Sequence, residues 1–248
     1  AIFPKSNLDL NNIENSARQL IDHIERAAEY RPRRLRLSKL REPIEHKKPK
    51  PVSNLPQLPA TRLIAIGAST GGTEAIREVL ELLPVDSPAI LVVIHMPENF
   101  TNAFASRLNT CCKIEVKEAT DGEKVHNGVA YIAKGGHHLR LDKRGAEFRI
   151  VVEKTEAVNR HMPSVDVLFN SVAKFCTSNA IGVILTGMGG DGANGLKSMR
   201  DMGAFTIAQD EKSCVVFGMP RVAIELGAAS KVLPLSQIAE NVNKHFLR

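Results

Sequence analysis

Three short apolar runs, "RLIAIG", "AILVVIH" and "AIGVILT", each lead into a stretch with helical spacing of apolar residues, and this alternation constrains the fold more than any other feature. The helices are expected over about Thr73 to Leu83, Thr101 to Leu108 and Gly192 to Met202. Strands that are apolar along their whole length, rather than at every second position, are buried on both faces. Strand–helix alternation of this kind predicts an α/β fold: a doubly wound, mainly parallel sheet with helices on both faces. Between the second and third units, "HHLRLDKR" and "EFRIVVEK" alternate around Gly145 and read as an antiparallel hairpin, inserted in that sheet or appended to it.

The basic character of the chain is local. Residues 31–50 hold nine Lys or Arg against two Glu, a net of +7 within a whole-chain charge of +6, so the remainder carries −1. Pro32, Pro43, Pro49, Pro51, Pro56 and Pro59 break any continuous helix there, and residues 31–60 read as a basic, proline-containing linker. Either a solvated tether or a patch for acidic partners fits that composition. Ahead of it, Ile13, Ala17, Leu20, Ile21, Ile24, Ala27 and Ala28 give an amphipathic helix preceded by an apparent strand end, "AIFPK". Residues 61–248 then form the main domain. No apolar run has the length of a membrane span and the first residues lack the pattern of a signal peptide, so a cytoplasmic protein is expected. Four cysteines without a C-x-x-C argue against disulfides and a zinc ribbon.

Ser69 lies in "GASTGG", directly after the first strand. A Walker loop would need Lys where Thr73 and Glu74 follow, and a dinucleotide fingerprint would need Gly where Ser69 stands. G-x-S-x-G matches at every position, though a serine before a helix also reads as an N-cap. A serine nucleophile needs a base and a carboxylate. Ligands of open parallel sheets bind at the carboxyl ends of the strands. His95 ends the second strand and Asp191 sits in the glycine-rich turn after the third, where it too reads as an N-cap if taken alone. The chain order Ser69, His95, Asp191 differs from the Ser, Asp, His order of the α/β-hydrolase fold.

Taken in order, "IGASTGGTEAI", "HMP", "AVNRHMPSVDVLF", "GVILTGMGGDGANGL" and "SCVVFGMP" resemble the catalytic domain of the bacterial chemotaxis protein-glutamate methylesterases, the CheB family, over about residues 61–246. The resemblance implies a serine hydrolase without cofactor or metal. It would remove γ-methyl esters from glutamates on the cytoplasmic domain of methylated chemoreceptors, with release of methanol, and in many members deamidate receptor glutamines. It carries the nucleophile onto Ser69, the base onto His95 and the aspartate onto Asp191, and offers the backbone N–H groups of Met188 and Thr70 as oxyanion donors. It implies no nucleic-acid partner and no direct membrane insertion. Arg160 and His161 read either as contacts to an acidic receptor surface or as structural loop residues. Family members usually carry an N-terminal receiver domain, of which residues 1–30 resemble only the last strand and helix. Its acidic pocket and phosphoacceptor aspartate have no counterpart here, so receiver-domain regulation is not carried over, and the chain reads as a fragment or as a truncated homologue. The alternative is a non-catalytic α/β module that binds a nucleotide or phosphate at "GASTGG".

Overall fold

The computed structural model describes residues 60–246; the expectations for the leading helix and the linker fall on residues outside that range. Seven strands form one parallel sheet: β1 (Leu63–Ala68), β2 (Ala89–Ile94), β3 (Glu115–Glu118), β4 (Val129–Ile132), β7 (Ala180–Ile184), β8 (Phe205–Gln209) and β9 (Lys231–Leu233), in the spatial order β3-β4-β2-β1-β7-β8-β9. The hairpin β5 (His138–Arg144) and β6 (Glu147–Glu153) is a separate two-stranded antiparallel sheet, appended rather than inserted.

Residues of β1 alternate between two cores. Leu63 and Ala65 pack with the hairpin and with α3 (Val165–Cys176), α4 (Ala193–Asp201) and α5 (Met219–Glu225). Ile64, Ile66 and Ala68 pack with α1 (Gly72–Glu81), α2 (Glu98–Cys111) and α6 (Leu235–Phe246). Burial on both sides is why β1, β2 and β7 read as unbroken apolar runs. No described helix is long and apolar enough to cross a membrane. All four cysteines are free thiols.

The chain begins the sheet in its centre, builds outward through β2, then returns to the other side of β1 with β7. Strand order therefore reverses between β1 and β7, and the loops leaving these two neighbours run to opposite helical layers, the position at which open parallel sheets bind ligands.

Candidate active site

Ser69 follows the last residue of β1 and is half-buried. Its N–H donates to the Thr186 carbonyl at 3.0 Å, one step beyond the bond from Leu185 N–H to the Gly67 carbonyl at 2.8 Å, so the β1–β7 ladder continues into the loop. The buried Thr186 hydroxyl donates to the Thr70 carbonyl at 2.9 Å and fixes the next residue as well. Helix α1 is capped by Gly71 in the left-handed region, φ 80°, with no side-chain cap. The N-cap reading of Ser69 is thereby overturned: a glycine two residues on takes the turn, and the serine hydroxyl is left for other work.

His95 stands one residue beyond β2, its N–H donating to the Ala68 carbonyl at 3.2 Å, immediately before Ser69. Its imidazole is nearly covered and its Nε2 lies 2.8 Å from Asp191 Oδ2. Nδ1 is buried and has no hydrogen-bond partner among the described residues. The ring of His161 stacks on His95 with centroids 3.6 Å apart and planes 8° from parallel. Burial, and then the neighbouring His95, lower the His161 pKa and favour its neutral form.

Asp191 reaches this edge because the α3 start is wedged against β1 and the α4 start packs on it beside β7. Val165 occupies the space where a Cβ on Gly67 or Gly192 would stand, at 2.1 and 2.5 Å from its Cγ1, and Gly192 takes φ 91° as the N-cap of α4. Asp191 is thus not the cap of that helix either. Its fully buried carboxylate accepts from His95 Nε2 and, at 2.7 Å each, from Val165 N–H, the Ser164 hydroxyl and the Asn159 amide. Burial alone would raise its pKa, but the bonds from His95, Asn159, Ser164 and Val165 outweigh it and bring it down to about 2. A dedicated carboxylate anion therefore faces the imidazole at neutral pH.

The structure thus joins His95 to Asp191 and brings both to the edge that carries Ser69; no Ser69–His95 hydrogen bond is present among the described residues. Thr70 is exposed, and Met188 is 74% exposed in the loop after β7. The backbone N–H of neither donates within the described chain. Among the described residues no group of three His, Cys, Asp or Glu is placed to hold a metal. Sequence reasoning passed over Asn159, Ser164 and Asp166, although all three lie in "AVNRHMPSVDVLF"; their links to Asp191 and to one another are tertiary.

Comparison with known proteins gives one consistent picture. Residues 64–242 match the family model described as CheB methylesterase. A protein-glutamate methylesterase/protein-glutamine glutaminase of Escherichia coli strain K12 is 59% identical over 187 residues, which cover 75% of this chain and 54% of that protein. One of the same name from Yersinia pestis is 57% identical over 195 residues, 79% of this chain and 56% of its own length. The chain therefore spans about half the length of the curated relatives it matches. The crystal structure of the Thermotoga maritima CheB methylesterase catalytic domain superposes with a TM-score of 0.72 at 40% identity, covering 74% of this chain and 97% of that one.

Proposed function

This chain belongs to the CheB methylesterase family, and from that premise we propose that it is a serine hydrolase that cleaves γ-methyl esters of glutamate on the cytoplasmic domain of chemoreceptors. The observation that carries the reading is the His95–Asp191 pair at the carboxyl edge of β1, beside Ser69. With Asp191 accepting from Nε2, the imidazole proton sits on Nε2 and Nδ1 is the base. That is the reverse of the nitrogen assignment in the familiar serine-protease triad, with the same division of roles.

Ser69 Oγ attacks the ester carbonyl while its proton passes to His95 Nδ1, and the imidazolium is stabilised by the Asp191 carboxylate. The oxyanion accepts from the Thr70 and Met188 backbone N–H groups. Collapse expels methoxide, which takes the proton from His95 to leave as methanol, and a glutamyl-serine ester remains. Water, deprotonated by the same Nδ1, then releases glutamate and restores Ser69. In the substrate complex Ser69 Oγ donates to His95 Nδ1 at roughly 2.6–3.2 Å. The relatives' printed names include a glutaminase activity, and the same acyl-enzyme would form from a glutamine side chain with ammonia leaving in place of methanol.

Residues 61–248 are read as the catalytic domain, preceded by the 31–60 linker and by residues 1–30, which resemble the end of a receiver domain, in a protein working in the cytoplasm. The family match favours this hydrolase over a nucleotide-binding module, for which "GASTGG" lacks a lysine. The test is methanol release from membranes bearing methylated receptor, by wild type and Ser69→Ala. A loss of roughly 10⁴-fold or more is expected, and near-wild-type release by Ser69→Ala would overturn the covalent mechanism.

A further inference from the structure

Between β6 and α3 the chain makes a two-residue reversal at Asn159 and Arg160. Val158 and His161 exchange both backbone hydrogen bonds, at 3.1 and 2.9 Å, and the two residues between them have φ 53° and 67°. A pair of left-handed residues closed this way is the primed hairpin turn, whose preferred residues are Asn, Asp and Gly. Asn159 suits its position; its side chain is not free to serve the turn, because it is held elsewhere. Asn159 Nδ2 lies 2.7 Å from Asp191 Oδ1 and 2.7 Å from Asp166 Oδ2, so the two hydrogens of one amide are divided between two buried carboxylates.

Asp166, on the first turn of α3, also accepts from Gly195 N–H at 2.6 Å on α4. Two carboxylates this close would repel each other, and Asp166 already has its pKa raised, first by burial and further by Asp191. An amide answers both without adding a charge. A lysine in the same place would pair with Asp191 and compete with the imidazolium; a carboxylate would add to the repulsion.

Resting on the hydrolase reading above, we infer that Asn159 is a positioning residue for the triad: with the Ser164 hydroxyl on the same Oδ1 and Val165 N–H on Oδ2, its amide sets the rotation of the Asp191 carboxylate so that Oδ2 faces His95 Nε2, and it alone ties that orientation to the Asp166 carboxylate at the α3–α4 junction. Asn159 acts through Asp191 and does not touch substrate. The turn places the stacking ring of His161 two residues on, so one short reversal reaches both partners of the His95–Asp191 pair.

Asn159→Gly isolates the amide, because glycine keeps the positive φ and removes only the side chain. Asn159→Asp keeps the shape and tolerance of the turn while replacing the donor by an acceptor. On the full 248-residue chain, both variants should lower kcat for methanol release by on the order of 10- to 100-fold, below the roughly 10²–10⁴-fold that an acid–base group itself contributes because the group is misaligned rather than removed, with KM within about twofold. A change in KM alone, or an unchanged kcat in both variants, overturns the inference. A second readout does not depend on turnover: the downfield proton resonance of the His95–Asp191 hydrogen bond, assigned by its loss in Asp191→Asn, should shift or broaden in Asn159→Gly and Asn159→Asp. If it stays in place in both, Asn159 does not position Asp191. If wild type releases no methanol the hydrolase reading fails, and this resonance still decides for or against the positioning role.

Discussion

The two cores on either side of the sheet are built from the same kinds of apolar residue and differ in what is buried among them. On the α1/α2/α6 side, Ile64, Ile66, Ile76, Val79, Leu80, Ile90 and Leu108 interlock with little polar company. On the α3/α4/α5 side, His138, Ser164, Asp166 and Asp191 are all buried where α3 begins, and each is hydrogen-bonded. Buried polar groups are costly unless satisfied, and a satisfied network permits one geometry. One layer therefore contributes stability through area, while the other spends part of that stability on holding Asp191 against His95. The sheet between them keeps the two tasks apart.

Removing the anion that the polar layer holds should have the largest consequence. Asp191→Asn keeps the volume but presents an amide where His95 requires an acceptor, so turnover should fall by roughly 10⁴-fold, the scale seen when a triad carboxylate is replaced by its amide. Methanol release measured against a folded, correctly sized protein checks it. Activity within tenfold of wild type would mean the buried network is structural only.

The apolar layer should respond in the opposite currency. Ile76 is fully buried on α1, and Ile76→Ala should lower unfolding stability by about 2–5 kcal/mol, the range for large-to-small core changes, with kcat per folded molecule unaltered. Urea midpoints and active-site titration separate the two quantities. A fall in kcat that persists after correction for the folded fraction would show that the layers are coupled through β1.

How much of this was legible in the sequence follows the same division. β1, β2 and β7 stood out because two-sided burial writes an apolar run into the chain, and a serine, a histidine and an aspartate just after those strands had to share one edge. The edge strands β3, "EVKE", and β9, "KVL", lack that imprint: half their surface meets solvent, and exposed positions accept Lys and Glu. α2 starts at Glu98, three residues ahead of the expected Thr101, because Pro97 serves as its N-cap and the Phe100 N–H turns back to the Pro97 carbonyl at 3.0 Å. The N-cap readings of Ser69 and Asp191 failed for a common reason. Both helices are entered through a left-handed glycine, Gly71 two residues after Ser69 and Gly192 directly after Asp191, which frees those polar side chains from capping. The donors on Asp191 were not legible because Asn159 and Ser164 reach it across 32 and 27 residues, and no local pattern encodes such a meeting.

A substitution at the seam of the polar layer should affect both quantities at once. A Cβ at Gly195 would lie 2.6 Å from Phe169 Cβ and 3.0 Å from the Asp166 carbonyl oxygen, so Gly195→Ala must push α4 away from α3. In an open helix the same change would stabilise by up to about 1 kcal/mol. Here overpacking should cost about 1–3 kcal/mol, and the displaced α4 should also lower kcat several-fold, which Ile76→Ala does not. A stabilised, fully active Gly195→Ala protein would show that the junction has slack.

The smallest expected effect is also the most specific, since it reads the charge of one buried group. Asp191 titrates near 2 in the folded chain against about 3.9 in an unfolded one. Its folded pKa is depressed, so its contribution to stability is fully present above about pH 4 and is lost as the pH falls toward 2. A shift of that size corresponds to about 2–3 kcal/mol in full, most of it lost by pH 2. Asp166 works the other way: with its pKa raised, first by burial, it costs stability at neutral pH and returns some as the solution is acidified, which blunts the acid limb of the wild type. The difference between wild type and Asp191→Asn cancels most of that opposing contribution. It should shrink by about 2 kcal/mol between pH 5 and pH 2, whereas the difference between wild type and Ile76→Ala should stay level over the same interval. Urea unfolding of the three proteins across that range measures both curves. Parallel curves would mean that Asp191 is held no more strongly as an anion than as an acid, and the distinction between a layer that stabilises and a layer that orients would lose its electrostatic half.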